Sequence, residues 1–341
     1  MLAAAAAWGG APEKPRVVIL ATGGTIAGRS VSAVEGTYRP AELPVEELLA
    51  AVPEIDGLAR VTGEQLCQVA SQDMTVDLWI RIARRVDELL RREDVDGVVI
   101  THGTDTMEET AWFLHLTVRT DEPIVLTGAM RPPGSLGADG ALNLYNAVAV
   151  AASPESRGKG ALLVMNDAIH GAREATKRHT TRADAFASPL FGPLGTVHYG
   201  DVVFYRESTR RHTASSAFDI REIDALPEAA ILYGHAGFDT TLIDRVLETG
   251  ARGIVFAGTG NGNPSAPAVR ALARASSSGA AIVRSSRTGA GAVTLHAEVD
   301  DEALGFAVAG DLNPQKSRIL LMLALTRAGD VRAIQEYFFM Y

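Results

Sequence analysis

The chain has a single cysteine, Cys67, among its 341 residues. One cysteine cannot form a disulfide within the chain or supply the thiolate cluster of a structural zinc or iron–sulfur site. Cys67 has no basic neighbours in sequence, so we expect a small buried side chain rather than a reactive thiol. The eight histidines show no spacing typical of metal ligands. The sequence therefore predicts no metal site.

Positive charge and long apolar segments are also scarce. The 32 Lys and Arg residues are outnumbered by 41 Asp and Glu residues, which gives a formal charge of −9. This balance disfavours nucleic acid and anionic membranes as partners, because both select basic surfaces. No apolar run approaches the ~18 residues of a membrane-spanning helix. The alanine-rich residues 1–12 lack the basic start of a signal peptide, so they leave the compartment open.

Strand-like and helix-like segments alternate along most of the chain. Apolar runs at 17–20, 97–100, 124–126 and 161–164 read as buried parallel strands, and apolar residues at helical spacing lie between them. The alternation predicts an α/β fold with a larger, mainly parallel, doubly wound N-terminal sheet and a smaller parallel C-terminal domain. We expect a catalytic domain over 1–205, a linker over 206–227 and a second domain over 228–341.

The loop after the first strand places Thr25 among glycines, and the loop after the second strand carries Thr104 and Asp105. Ligands of open α/β sheets bind at the carboxyl ends of the strands, so these side chains are expected to face a substrate. A threonine hydroxyl becomes nucleophilic when a base accepts its proton, and Lys177 and Tyr38 are the candidate bases. Backbone N–H groups in the loops would hold an oxyanion.

Other interpretations of the same residues stay open on sequence grounds. Residues 23–30 match the pattern of a phosphate-binding loop except at one position, where Arg29 replaces the lysine. Asp105 would favour a helix dipole beside a capping box of Thr106 and Glu109. Lys177 fits a solvated surface charge.

The remaining candidate residues also have purely structural interpretations. Ser71, Gln72 and Asp73 precede a helix and fit a cap, and Tyr38 fits a packed loop anchor. Asn263, before a proline, is a natural turn residue, and Glu298 belongs to an acidic surface run.

Four runs, taken together, resemble one family. They are Ala-Thr-Gly-Gly-Thr-Ile-Ala-Gly at 21–28, Ile-Thr-His-Gly-Thr-Asp-Thr-Met-Glu-Glu-Thr at 100–110, Arg-Ser-Ser-Arg-Thr-Gly at 284–289 and Asp-Leu-Asn-Pro-Gln-Lys at 311–316. They resemble the bacterial asparaginase and glutaminase-asparaginase family, most of all its type II members. The resemblance extends from about residue 17 to residue 341.

The resemblance implies hydrolysis of a side-chain carboxamide without a metal or organic cofactor. It implies that Thr25 is the nucleophile on a mobile lid and that Tyr38 is its partner on the same lid. Thr104, Asp105 and Lys177 resemble the family's second catalytic group. Some secreted members carry a disulfide that this chain cannot form, which weakens the implied periplasmic or secreted location.

The same resemblance implies how substrate is held. The residues that it places around the substrate are Gly24, Ser71, Gln72, Thr104, Asp105, Asn263 and Glu298. Asn263 and Glu298 would come from a neighbouring subunit of a homotetramer built from two intimate dimers. Gln72 and Asn263 are the choices of members that prefer L-asparagine, so we expect lesser activity on L-glutamine. The alternatives are a dual glutaminase-asparaginase and a non-catalytic amino-acid-binding protein.

Overall fold

The computed structural model describes residues 13–34 and 37–341, so the alanine-rich start lies outside the described residues. The strands of the first part of the chain are β1 Arg16–Gly23, β2 Arg29–Ser30, β3 Tyr38–Arg39, β4 Arg60–Val69, β5 Gly97–Thr101, β6 Ile124–Thr127, β7 Ala161–Met165, β8 Ala168–Gly171, β9 Thr176–Lys177, β10 Phe186–Ala187, β11 Gly195–His198 and β12 Asp201–Phe204. Its helices are α1 Val45–Ala50, α2 Val76–Leu90, α3 Met107–Thr117 and α4 Gly140–Ala152.

Eight of these strands form one mixed sheet in the order β12-β11-β8-β7-β6-β5-β1-β4. Five neighbouring strands, β4, β1, β5, β6 and β7, are parallel. Strands β8, β11 and β12 extend the sheet by antiparallel pairing. The expected mainly parallel sheet is therefore confirmed, with an antiparallel edge added to it.

Helices cover both faces of this sheet, which is the doubly wound arrangement. Val18 and Leu20 of β1 pack with α2 and α3 on one face. Val17 and Ile19 of the same strand pack with α1 and α4 on the other face. A strand buried on both sides needs apolar residues throughout, which explains the unbroken run at 17–20.

The second part of the chain forms a four-stranded parallel sheet in the order β13-β14-β15-β16. Its elements are β13 Ala229–Tyr233, α5 Thr241–Glu248, β14 Gly253–Gly258, α6 Ala266–Ser277, β15 Ala281–Ser286, α7 Asp301–Leu304, β16 Phe306–Val308, α8 Pro314–Ala324 and α9 Val331–Met340. Helix α8 begins after an Asn313 cap, whose side chain accepts a hydrogen bond from the Lys316 N–H at 3.0 Å.

The segment over 206–227 contains two short 3-10 turns, Thr213–Ser215 and Ile220–Glu222. It is otherwise irregular, but it is packed rather than exposed. Phe218 is fully buried and stacks on the rings of Tyr337 and Tyr341, at centroid distances of 5.1 and 5.6 Å. The connection between the two sheets therefore contributes to the core.

The order of the strands creates a crevice beside β1. The chain leaves β1, forms β4 on one side of it, and crosses back through α2 to form β5 on the other side. The loops after β1 and β5 consequently diverge, and such a switch point is where open α/β sheets bind ligands. Within the described residues, no helix combines the length and the apolar character that crossing a membrane requires.

Candidate active site

A cavity of about 740 Å³ opens at this switch point. Eight of the residues that the sequence predicts for the site lie on its wall: Gly24, Thr25, Tyr38, Ser71, Gln72, Thr104, Asp105 and Lys177. They come from the loops after β1, β4 and β5, from β3 and from β9. Side chains separated by up to 152 positions therefore meet in one place.

Two glycines allow the loops after β1 and β5 to touch. Gly24 has a φ of +79°, and a Cβ on it would lie 2.3 Å from the Cα of Gly103. A Cβ on Gly103 would lie 2.6 Å from the Ser71 hydroxyl oxygen. Any larger side chain at either position would separate the loops. This contact brings Thr25 and Thr104 to the same cavity.

Thr25 lies in a 3-10 turn directly after β1 and is only 8% exposed. Its hydroxyl oxygen is 2.8 Å from the hydroxyl oxygen of Tyr38. Tyr38 reaches this position because β3 pairs with β2, which places Tyr38 opposite Ser30 in a hairpin beside the cavity. We call residues 25–40 the lid; residues 35 and 36 within it lie outside the described residues. The structure thus joins the two lid residues by one hydrogen bond.

Lys177 joins the two polar residues that follow β5. Its ammonium group donates to the Thr104 hydroxyl at 2.8 Å and to the Asp105 carboxylate at 2.5 Å. The lysine side chain is 16% exposed, whereas the aspartate side chain is 60% exposed. The surface-charge interpretation of Lys177 is therefore wrong. Asp105 keeps an open side toward the cavity, where a ligand can approach it.

Ser71 and Gln72 lie in a 3-10 turn after β4, and Ser71 is buried. The Ser71 hydroxyl accepts a hydrogen bond from the Asp105 N–H at 3.1 Å. The helix-cap interpretation of this turn is wrong, since Thr75 caps α2. The capping box at Thr106 is also wrong, because that hydroxyl donates instead to the Ser71 carbonyl at 2.7 Å.

A further loop, which the sequence patterns did not single out, forms another wall of the cavity. Residues 130–136, which follow β6, contribute Met130, Arg131, Ser135 and Leu136 to the lining. The Leu136 N–H donates to the carbonyl of Ala33 on the lid at 2.9 Å. The rule that ligands bind at the carboxyl ends of parallel strands also indicates this loop, because it follows a buried apolar strand at the same sheet edge.

Asn263 and Glu298 do not lie on the wall of this cavity. Asn263 lies in the loop after β14 and Glu298 lies just before α7. The Asn263 amide donates a hydrogen bond to the Glu298 carboxylate. The fully buried pair of Arg284 and Asp301 supports their loops, with nitrogen–oxygen distances of 2.6 and 2.7 Å. Arg284 also donates to the carbonyl of Asn261 at 3.1 Å. The structure thus brings these two candidates to each other and not to the other eight.

The phosphate-loop interpretation does not fit the geometry. Thr25–Ala27 forms a single 3-10 turn that leads into β2 instead of a long helix. The Arg29 side chain is 62% exposed and faces Glu42 and Glu47 at 3.7 and 3.5 Å. In the described part of the chain, no group of three or more His, Cys, Asp or Glu side chains is placed to hold a metal ion.

His102 supports the loop after β5 from behind. Its ring nitrogens lie 2.7 Å from the Gly103 carbonyl oxygen and 2.9 Å from the Thr110 hydroxyl oxygen. Complete burial lowers the pKa of His102 to about 4, so the ring is neutral at pH 7. His102 therefore acts as a structural hydrogen-bonding residue.

Two family models match the chain. The model described as "Asparaginase, N-terminal" matches residues 16–210, and the model described as "Glutaminase/Asparaginase C-terminal domain" matches residues 229–338. Together they cover both sheets and the cavity.

Curated relatives and a solved structure agree with these matches. The chain is 45% identical to "Probable L-asparaginase periplasmic" of Haemophilus influenzae, over 96% of this chain and 93% of the relative. It is 48% identical to "Glutaminase-asparaginase" of Pseudomonas fluorescens biotype A, over 95% of this chain and 90% of the relative. The crystal structure of a "Probable Cytoplasmic L-asparaginase" from Campylobacter jejuni superposes with a TM-score of 0.93 at 44% identity, over 96% of this chain and 100% of that chain. The compartments in these names differ.

Proposed function

The chain belongs to the asparaginase family, and on that premise we propose that it hydrolyses L-asparagine to L-aspartate and ammonia, with lesser activity on L-glutamine. One observation carries the proposal. A single cavity holds the Thr25–Tyr38 hydroxyl pair together with the group formed by Thr104, Lys177 and Asp105.

In the first step, the Thr25 hydroxyl oxygen attacks the carbon of the side-chain amide. Its proton passes to the Tyr38 oxygen while Tyr38 gives up its own hydroxyl proton to the relay that ends at the amide nitrogen, so the tyrosine stays neutral. The 2.8 Å hydrogen bond between the two hydroxyls supports this assignment. The tetrahedral oxyanion would be held by backbone N–H groups of Thr25 and Thr104. The Gly24 N–H is not assigned to it, because that group donates to the Val69 carbonyl at 3.0 Å.

Collapse of the tetrahedral intermediate breaks the carbon–nitrogen bond, and the departing nitrogen takes up a proton to leave as ammonia. The proton comes from the hydroxyl relay of Tyr38, or from Thr104 with Lys177 behind it. Water then attacks the resulting ester on Thr25, releases aspartate and returns the proton to the threonine. No step requires a metal ion.

The charges around the cavity suit a free amino acid. The exposed side of the Asp105 carboxylate would bind the α-ammonium group, while Ser71 and Gln72 would bind the α-carboxylate. Asparagine and glutamine differ by one methylene group, which is worth only ~1–3 kcal/mol in a pocket. We therefore expect a preference for L-asparagine that is incomplete.

Assembly and location complete the proposal. Because Asn263 and Glu298 lie away from the cavity of their own chain, we propose that they complete the cavity of a neighbouring subunit in a homotetramer of two intimate dimers. An isolated subunit should then be nearly inactive, which dilution with sedimentation and activity measurements would test. We also propose a periplasmic or secreted location, based on the likeness to the Haemophilus influenzae relative; cell fractionation tests it.

A coupled assay for ammonia tests the central activity. Wild-type protein should release ammonia from L-asparagine with chelator present and without nucleotide, and Thr25→Ala should lose nearly all of this activity. A kcat/KM ratio near one for the two amides would favour the dual glutaminase-asparaginase. Stoichiometric binding of asparagine without turnover would instead support a binding protein and refute the proposal.

A further inference from the structure

Glu108 is a buried carboxylate behind the wall of the cavity. It lies in the first turn of α3, is 4% exposed, and is separated from Asp105 by two residues. Its carboxylate accepts hydrogen bonds from three groups: the Lys177 backbone N–H at 3.0 Å, the Asn313 amide at 3.4 Å and the Gln315 amide. One side chain therefore connects α3, β9 and the start of α8.

Burying a carboxylate is costly unless polar partners replace the lost water. A favourable interaction with the N-terminal dipole of α3 does not by itself explain Glu108, because Glu109 occupies the same turn. Burial and the negative charge of Glu108 raise the pKa of Glu109 to about 7. The charge on Glu108 therefore makes the ionisation of Glu109 less favourable. Three hydrogen-bond donors nevertheless stabilise this charge, which indicates a specific role for Glu108.

The bond to Lys177 is important because β9 is short. This strand has two residues and, among the residues that the structure describes, pairs only with the two residues of β10. The Arg178 N–H donates to the Ala185 carbonyl at 2.7 Å, so the preceding N–H, that of Lys177, points away from β10. That N–H is held by Glu108 instead. The backbone from which the catalytic lysine extends is thereby fixed to the helix that follows Thr104 and Asp105.

We infer that Glu108 is a positioning residue for the amide hydrolysis: it fixes the Lys177 backbone so that the ammonium group meets Thr104 and Asp105, and it links this geometry to α8 through Gln315. This inference rests on the proposed function. A displacement of about 1 Å at a catalytic group can cost roughly 100-fold in rate. Loss of the Glu108 charge and of one acceptor should therefore act on kcat rather than on substrate affinity.

The test compares Glu108→Gln with Glu109→Gln, which makes the same chemical change one residue further along α3. For Glu108→Gln we expect kcat for L-asparagine to fall about 10- to 100-fold with KM changed by less than about threefold. The Glu109→Gln control should keep kcat within about twofold of wild type. The double variant Glu108→Gln/Gln315→Glu exchanges donor and acceptor across the same contact, and it should recover a large part of the lost kcat.

A second readout does not depend on turnover. Amine labelling followed by peptide mass spectrometry should show that Lys177 reacts several-fold faster in Glu108→Gln than in wild type, with the exposed Lys14 as the internal reference. Unchanged Lys177 labelling, or unchanged kcat in a folded and active enzyme, would overturn the inference. An inactive wild type would refute the proposed function, while the labelling result would still decide the positioning role. If Glu108→Gln does not fold, Gln315→Met should still lower kcat, and an unaltered kcat there would count against Glu108.

Discussion

Replacing Tyr38 by phenylalanine removes the hydroxyl that faces the proposed nucleophile. The two hydroxyl oxygens of Tyr38 and Thr25 are 2.8 Å apart, and Thr25 is 8% exposed, so water has little room to take over the missing group. The tyrosine ring, which lies beside Gly28 at the base of the lid, is retained in the variant. The change therefore tests the proton transfer with little disturbance of packing.

Two magnitudes separate the possible roles of this hydroxyl. A hydrogen bond that only orients Thr25 is worth about 0.5–1.5 kcal/mol, which corresponds to a loss of roughly 2- to 13-fold in rate. A general base or acid contributes about 100- to 10,000-fold. Because we assign the proton of Thr25 to Tyr38, we expect Tyr38→Phe to lower kcat by at least about 100-fold, with a much smaller change in KM.

Steady-state ammonia release from L-asparagine measures this effect, and Tyr199→Phe is the matched control because that side chain is 71% exposed and does not line the cavity. The control should behave as wild type. A loss below about tenfold in Tyr38→Phe would show that the hydroxyl only orients Thr25, and it would refute the proton-transfer assignment.

Three further predictions concern the support of the site. Gly24→Ala places a Cβ 2.3 Å from the Cα of Gly103 at a φ of +79°, so it should cost at least ~2 kcal/mol of unfolding free energy and most activity. Gly57→Ala is the control: no described residue lies within 4 Å of the added Cβ, so this variant should be neutral in denaturant titration. Glu109 has a pKa of about 7 in the folded protein against 4.5 in the unfolded chain; the folded protein holds the proton more tightly, and stability falls as pH rises from about 4.5 through 7. Glu109→Gln should therefore match wild type in thermal unfolding near pH 4 and exceed it by about 2 kcal/mol near pH 8, the half-buried side chain being partly screened. Arg284→Met leaves its buried carboxylate partner unpaired and should cost ~3–5 kcal/mol, while Arg332→Met, at an exposed ion pair, should cost less than ~1 kcal/mol; equal losses would contradict the reasoning.

The interior strands could be predicted from sequence because burial on both faces demands apolar runs. The edge strand β4 was missed for the opposite reason, since it is largely half-exposed and carries charged and polar residues such as Glu64 and Gln65. The antiparallel strands β11 and β12 have four residues each; β11 mixes buried with more exposed positions, and β12 has only exposed and half-buried ones. Short strands of mixed character give no periodic signal that separates them from loops.

The residues of the candidate site likewise fall into those that a sequence rule predicts and those that it does not. Thr25 and Thr104 follow predicted strands, and the rule for parallel sheets brings them to one edge. Lys177 is 73 positions from Thr104, and no spacing rule predicts their contact; the residues alone made Lys177 a candidate base, and the family resemblance grouped it with Thr104. The capping box failed because a nearer partner, the Ser71 carbonyl, takes the Thr106 hydroxyl, and such competition depends on tertiary structure.

The most direct test of the account is to trap the acyl-enzyme. Protein mixed with L-asparagine is quenched in acid during turnover, digested and mapped by mass spectrometry, with Thr25→Ala as the control. We predict an aspartyl ester on the peptide that contains Thr25, and no such ester in the control. An aspartyl ester on the peptide that contains Thr104, or an ester that persists in Thr25→Ala, would contradict the assignment of Thr25 as the nucleophile.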